Sequence, residues 1–197
     1  MKKIIVILLL STLTIGCKNN QKGSPTENKQ VQVEHKEDKK TEKKKEVLSP
    51  HTSTMAMIGD THIRIDYSSP GVRNRIVFGG LLPYDMVWQA GAHNATWFET
   101  NKDLTIDGKT LKTGKYGFFT IPSKDEWILI FNSNWDQHGK DEYDEKDDIL
   151  RFTIKPEILD DITEHLVYNI DKIDETHGIV SLSWEKVTLK FNFETKN

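Results

Sequence analysis

Two stretches of this chain gather side chains able to bind or react. The first runs from Gly71 to Trp97 and holds Arg73, Arg75, Trp88, His93, Asn94 and Trp97 among Gly71, Gly79, Gly80 and Gly91. Indole faces beside guanidinium, imidazole and amide groups give a stacking surface with directional hydrogen bonds, which a sugar or other small polar ligand requires. The same types also suit a core in which Trp88 and Trp97 point inward and the arginines lie in water, and residue type alone leaves both open. The second stretch is Asn132-Ser-Asn-Trp-Asp-Gln-His-Gly139, followed by the acidic run Asp141 to Asp148. Asn132, Trp135 and His138 are its candidate ligand contacts. Asn132, Asn134 and Asp136 fall at positions 1, 3 and 5 of a calcium loop. Gln137 then stands where the sharp turn needs glycine, and Tyr143 where a bidentate glutamate belongs. An EF-hand is excluded, and a solvated acidic loop is the plainer expectation.

Other chemistries find less support. His51, His62, His93 and His138 include no H-x-H or H-x-x-x-H pair that would set two metal ligands on one face. No G-x-S-x-G elbow, phosphate loop or dinucleotide fingerprint is present. No cofactor or metal is expected.

Cys17, the single cysteine, follows Thr14-Ile15-Gly16 and an apolar run that begins at Ile4 behind Lys2 and Lys3. A charged start, a short apolar segment and a small residue before the cut form a secretory signal, and the stretch is too short for a spanning helix of roughly 20 residues. With cysteine at the cut, the expectation is a bacterial lipoprotein signal over residues 1–17, acylated at Cys17. The mature protein would then be lipid-anchored in the cell envelope, at the outer membrane, with no thiol left for a disulfide or a nucleophile. Residues 18–47 are rich in lysine and glutamate and too poor in apolar side chains to offset the cost of ordering, so a charged tether is expected there.

The elements that must position these side chains lie in residues 48–197, expected to be one domain. Of 27 basic and 30 acidic residues, residues 1–47 hold 11 and six; the domain keeps 16 against 24, a net of −8. Such a balance repels phosphate backbones, so nucleic acid is not an expected partner. The apolar period is two throughout. Ile63, Ile65 and Tyr67 alternate with His62, Arg64 and Asp66; Leu150, Phe152 and Ile154 form a second set, and Leu166, Tyr168 and Ile170 a third. Val180, Leu182 and Trp184 follow, then Val187, Leu189, Phe191 and Phe193. Trp127 to Phe131 is apolar on both faces, as in a strand covered on both sides. Asp107-Gly108 signals a hairpin, while Gly59-Asp60, Thr113-Gly114 and His177-Gly178 punctuate other runs. The pattern predicts an all-β antiparallel sandwich of about nine or ten strands, with a jelly roll as one form. Helix is expected only as a turn or two near Pro156 to Ile162.

Several separated segments occur in a familiar order. They are Ser49-Pro-His51, Phe78-Gly-Gly-Leu-Leu-Pro-Tyr-Asp-Met-Val-Trp88, Gly91-Ala-His-Asn-Ala-Thr96, Thr113 to Pro122, Trp127 to Asn132 and Asp147-Asp-Ile-Leu-Arg151. Over about Leu48 to Leu189 the chain resembles the bacterial lipoprotein family known as domain of unknown function 2911. It departs from that pattern at Gln89, where a basic residue is usual, and at His93, where asparagine is common. The resemblance implies a secreted, anchored, β-rich domain and no particular activity. Two functions are therefore expected to compete. One is a non-catalytic binding or accessory module for a carbohydrate or other cell-envelope ligand. The other is an envelope hydrolase, with or without metal assistance, using His93 or His138 with Arg73 or Arg75.

Overall fold

Alternation with a period of two puts one residue of each pair into the interior, and the computed structural model follows it strand by strand. It describes residues 47–196; Cys17, the signal segment and the expected tether up to residue 46 lie outside them. Ten strands form: β1 (His51–Ile58), β2 (Thr61–Ser68), β3 (Thr96–Thr100), β4 (Leu104–Ile106), β5 (Lys109–Leu111), β6 (Gly114–Ile121), β7 (Trp127–Asn132), β8 (Asp148–Ile154), β9 (Glu157–Lys172) and β10 (His177–Thr195). One six-stranded antiparallel sheet has the order β1-β2-β3-β6-β7-β8, and a four-stranded antiparallel sheet has the order β5-β4-β10-β9. Asp107-Gly108 makes the β4–β5 turn, with both residues at positive φ, as a two-residue hairpin demands.

The fold is a β-sandwich. Ile63, Ile65, Phe98, Phe118, Phe131 and Phe152 of the larger sheet share one core with Tyr168, Leu182, Trp184, Leu189 and Phe191 of the smaller. Phe191 meets Phe118, Phe131 and Phe152 across the layers at centroid distances of 6.2, 6.1 and 5.5 Å. Two expectations need correction. In the larger sheet each strand pairs with the next one of that sheet along the chain, a meander interrupted only by the β4–β5 excursion. That is not the double Greek key of a jelly roll. The segment Pro156–Ile162 holds no helical turn, because Glu157 and Ile158 pair with Thr188 and Val187 at the start of β9. The short helical piece is instead a 3-10 turn at Glu145–Asp147.

The inward parity of β10 changes along its length. Val180, Leu182 and Trp184 are buried at even positions, then Val187, Leu189, Phe191 and Phe193 at odd ones. The pairing shifts register on both sides of Glu185, whose φ is +55°, with the surplus residues of these bulges on β9. A bulge bends the strand without breaking it, so two runs of opposite parity are one 19-residue strand.

The larger sheet is covered on its outer face as well. Ala95, Phe119 and Ile130 form a second small core there with Val87, Ile121, Ile128 and Tyr143. Its cover is irregular chain, residues 84–95 and 133–147. Trp88 and Thr120 exchange backbone hydrogen bonds of 2.8 and 2.9 Å, and the Ala95 N–H donates to Gln137 O at 3.0 Å. Where that cover stops, the sheet is open.

Candidate functional site

Strand register decides which side chains share the uncovered part of the outer face. Ser53, Asp66, Trp97 and Gly117 stand in one row across β1, β2, β3 and β6, and the row continues under the covering loop to Asn132 of β7. Met55, Arg64, Glu99 and Lys115 stand in the next. Asp66 is the centre of the polar set. Its side chain is only 8% exposed; Oδ2 accepts from Arg64 Nη2 at 3.0 Å, and Oδ1 lies 3.2 Å from His51 Nε2. A carboxylate so far from water needs paired charge, which Arg64 supplies, while the His51 ring nitrogen lies within hydrogen-bond reach of the other oxygen. A carboxylate has about four lone-pair positions, and these contacts use two of them.

The aromatic set stands beside it. Lys115 Nζ lies 3.6 Å from the Trp97 ring centroid and 3.5 Å from that of Trp135, while the Arg64 guanidinium carbon is 5.2 Å from Trp97. The ammonium therefore clamps an indole from β3 to an indole from the loop after β7. Each such contact contributes about 0.5–1 kcal/mol at exposed sites and more when dry. Gly117 permits the arrangement, since a Cβ there would come within 3.0 Å of Asn134 O and 3.3 Å of Trp135 Cα. Between the clamp and Asp66 lies a cleft of about 130 Å³ lined by His51, Asp66, Ser68, Asn94, Trp97 and Trp135, among others. Sites that enclose a drug-sized ligand run to roughly 300–1,000 Å³.

A family model described as protein of unknown function, DUF2911, matches residues 49–193. The chain belongs to this family. No curated protein and no solved structure matches it. In this DUF2911 domain the matched span contains both rows of outer-face residues and both covering loops.

The residues expected from sequence are divided by the structure among four places. Asn94 and Trp135 line the cleft. Trp88 does not: it is 3% exposed, stacked on Trp184 at a centroid distance of 5.6 Å, with Nε1 donating to Gly91 O at 2.9 Å. It packs inside the sandwich, so it is core and cannot stack on a ligand. Asn132 is likewise fully buried. Its Nδ2 donates to Asp144 O and Asp148 Oδ1, and its Oδ1 accepts from the Asn134 N–H at 2.8 Å, so it pins the loop and is closed to a ligand. His138 is 74% exposed and pairs with Asp141 at 3.2 Å, outside the cleft lining.

Arg73, Arg75 and His93 come together in a different groove, of about 690 Å³, with Leu48, Pro70 and Leu81. Arg73 and Asn74 both have positive φ, and the Arg75 N–H donates to Val72 O at 3.1 Å. Two left-handed central residues are the signature of a type I′ turn. Sequence reasoning had not selected His51, Arg64, Asp66 or Lys115. Their signal was the charged half of an alternating strand, which ordinarily means only solvent. Among the described residues no three His, Cys, Asp or Glu side chains cluster to hold a metal ion.

Proposed function

We propose that this protein is a lipoprotein of the bacterial cell envelope, acylated at Cys17 and held at the outer membrane. Its sandwich is a non-catalytic binding module for a carbohydrate or other envelope ligand. The observation that carries the reading is the buried Asp66 carboxylate, held by Arg64 and His51 at the foot of a cleft walled by Trp97 and Trp135. Sugar recognition combines an aromatic wall with a fixed acceptor for hydroxyls, and the two stand side by side here. The hydrolase reading is served less well. Among the described residues, His93 has no side-chain hydrogen-bond partner to orient it as a base, and His138 rests on an exposed carboxylate away from the cleft.

The test uses the chain from Lys18 to Asn197, which keeps every described residue, against a panel of cell-envelope glycans. A ligand present at 100 times its dissociation constant adds about 2.7 kcal/mol to the native state, a rise of roughly 5–10 °C in midpoint for a domain of this size. At least one glycan is expected to shift the midpoint and to quench tryptophan emission. Trp97→Ala, Trp135→Ala and Asp66→Asn are each expected to weaken it at least tenfold. A glycan that binds all three variants as well as it binds the parent overturns the site. A flat panel overturns the ligand class.

A further inference from the structure

Four arginines are present in the chain. Arg64 and Arg151 are ion-paired with Asp66 and Asp148. Arg73 and Arg75 are not paired with any carboxylate among the described residues. Carbonyls hold them instead: Arg73 Nη2 donates to Leu48 O, and Arg75 donates to Val72 O and Gly71 O at 3.0 and 2.7 Å. Their turn is tied to β9, since the Val72 N–H donates to Glu164 O at 2.8 Å and the Arg73 N–H to Glu164 Oε1 at 2.9 Å. Two full positive charges are thus fixed by the backbone on one loop.

That loop end also carries apolar side chains in water. Val47 is 67% exposed, Leu48 60%, Ile76 72%, Leu81 47% and Met86 51%, about half of the large exposed hydrophobics. Single exposed apolar residues need no explanation, but a contiguous set does. Here the Leu81 N–H donates to Ile76 O, Leu81 shares the groove with Val47 and Leu48, and Met86 shares a smaller recess with Leu81 and Lys140. Carboxylates border this end as well, Glu164 beside Arg73 and Glu185 on the Val77 N–H, yet neither arginine has an ion pair among the described residues. Two arginines without an ion pair beside exposed apolar side chains set this end apart on a domain of net −8.

We propose that this end of the domain is a membrane-contact face, with Arg73 and Arg75 seating anionic phospholipid headgroups while Leu48, Ile76, Leu81 and Met86 enter the headgroup boundary. Exposed apolar residues beside lysine and arginine are the composition of interfacial segments. The choice of a bilayer as partner rests on the anchored-lipoprotein reading, because Val47 is where the segment from Cys17 joins the domain.

Unacylated Lys18–Asn197 is to be sedimented with vesicles of phosphatidylcholine alone and of phosphatidylcholine mixed with phosphatidylglycerol. Binding is expected only with the anionic lipid and is expected to fall as salt rises. Each arginine near an anionic surface is worth about 1 kcal/mol, so Arg73→Gln with Arg75→Gln should weaken binding roughly 30-fold. Arg73→Lys with Arg75→Lys, which keeps the charge, should retain most of it, and Ile76→Ser with Leu81→Ser should weaken it on anionic vesicles. The tether lysines are common to every variant. Unfolding midpoints within a few degrees of the parent separate lost contact from lost fold. Equal binding by the glutamine pair and the parent, or equal binding to both vesicle types, overturns the face. Acylation is read separately, from the mass of the N-terminal peptide of the full chain. Vesicle binding without acylation leaves this face standing and removes the anchor.

Discussion

Gly117→Ala tests whether the cleft depends on the close approach of Trp135 to the sheet. Gly117 lies between Trp97 and Asn132 in its row. A Cβ on it would stand 2.7 Å from Phe119 Cε2, 3.0 Å from Asn134 O and 3.3 Å from Trp135 Cα. Phe119 is fully buried against Tyr143, with ring centroids 5.1 Å apart, and has little room to swing. The Asn134 backbone is held from both sides, its N–H by Asn132 Oδ1 and its carbonyl by Gln137 Nε2, each at 2.8 Å. The loop therefore has to rise as a unit, carrying Trp135 off Lys115. Overpacking of this kind costs about 1–3 kcal/mol, and losing one exposed cation–π contact adds about 0.5–1 kcal/mol. For a domain of this size the resulting loss of about 1.5–4 kcal/mol lowers the unfolding midpoint by roughly 3–16 °C. Gly117 is not among the positive-φ glycines, so the effect is one of space. Gly108→Ala is the converse control: its φ is +70° and nothing lies within 4 Å of the added methyl. Thermal unfolding gives the first readout and collisional quenching of tryptophan the second. Trp97 and Trp135 are half-buried, whereas Trp88, Trp127 and Trp184 are buried. Gly117→Ala should lose stability and gain quenching; Gly108→Ala should lose about 1 kcal/mol by strain with quenching unchanged. Parental stability and parental quenching in Gly117→Ala would refute the reasoning.

Two further outcomes follow from buried polar groups. Burial, then the hydrogen bond its hydroxyl donates to Asp148 at 2.9 Å, pushes the Tyr143 pKa well above the ordinary tyrosine range. A folded-state pKa raised in this way gives stability that is complete below the unfolded value of about 10 and is lost as pH rises beyond it. Tyr143→Phe should flatten that alkaline decline in a pH series of unfolding midpoints, and an unchanged slope would remove Tyr143 as its source. The stacked pair Trp88 and Trp184 differ in one respect: Trp88 Nε1 donates to Gly91 O, while Trp184 Nε1 is buried with no partner. Trp184→Phe removes an unsatisfied donor and Trp88→Phe leaves a carbonyl without its bond. The second should cost more by about 1–3 kcal/mol in denaturant unfolding, and equal costs would contradict this.

The sandwich was legible because its core strands alternate cleanly, as in β2, β8 and the two runs of β10. The start of β9 was not. Glu157, Ile158, Asp160, Asp161 and Ile162 are all exposed, so burial imposes no period on them, and only pairing with β10 makes them a strand. The site shows the same limit in sharper form. Arg73, Arg75 and His93 come from one irregular stretch, and local composition brought them forward together. His51, Asp66, Trp97, Lys115 and Trp135 come from four strands and a loop, spread over 84 positions of sequence from 51 to 135. What assembles them is register. A shift of one residue in the β2–β3 pairing would turn Trp97 inward and leave Asp66 without its cleft. Register is itself fixed by the inward residues, since Ile65 must face Phe98 and Phe98 must face Tyr116 for the core to close. The apolar half of each strand thus places the polar half. The chemistry of the outer face is therefore specified in this sequence by residues that never touch it.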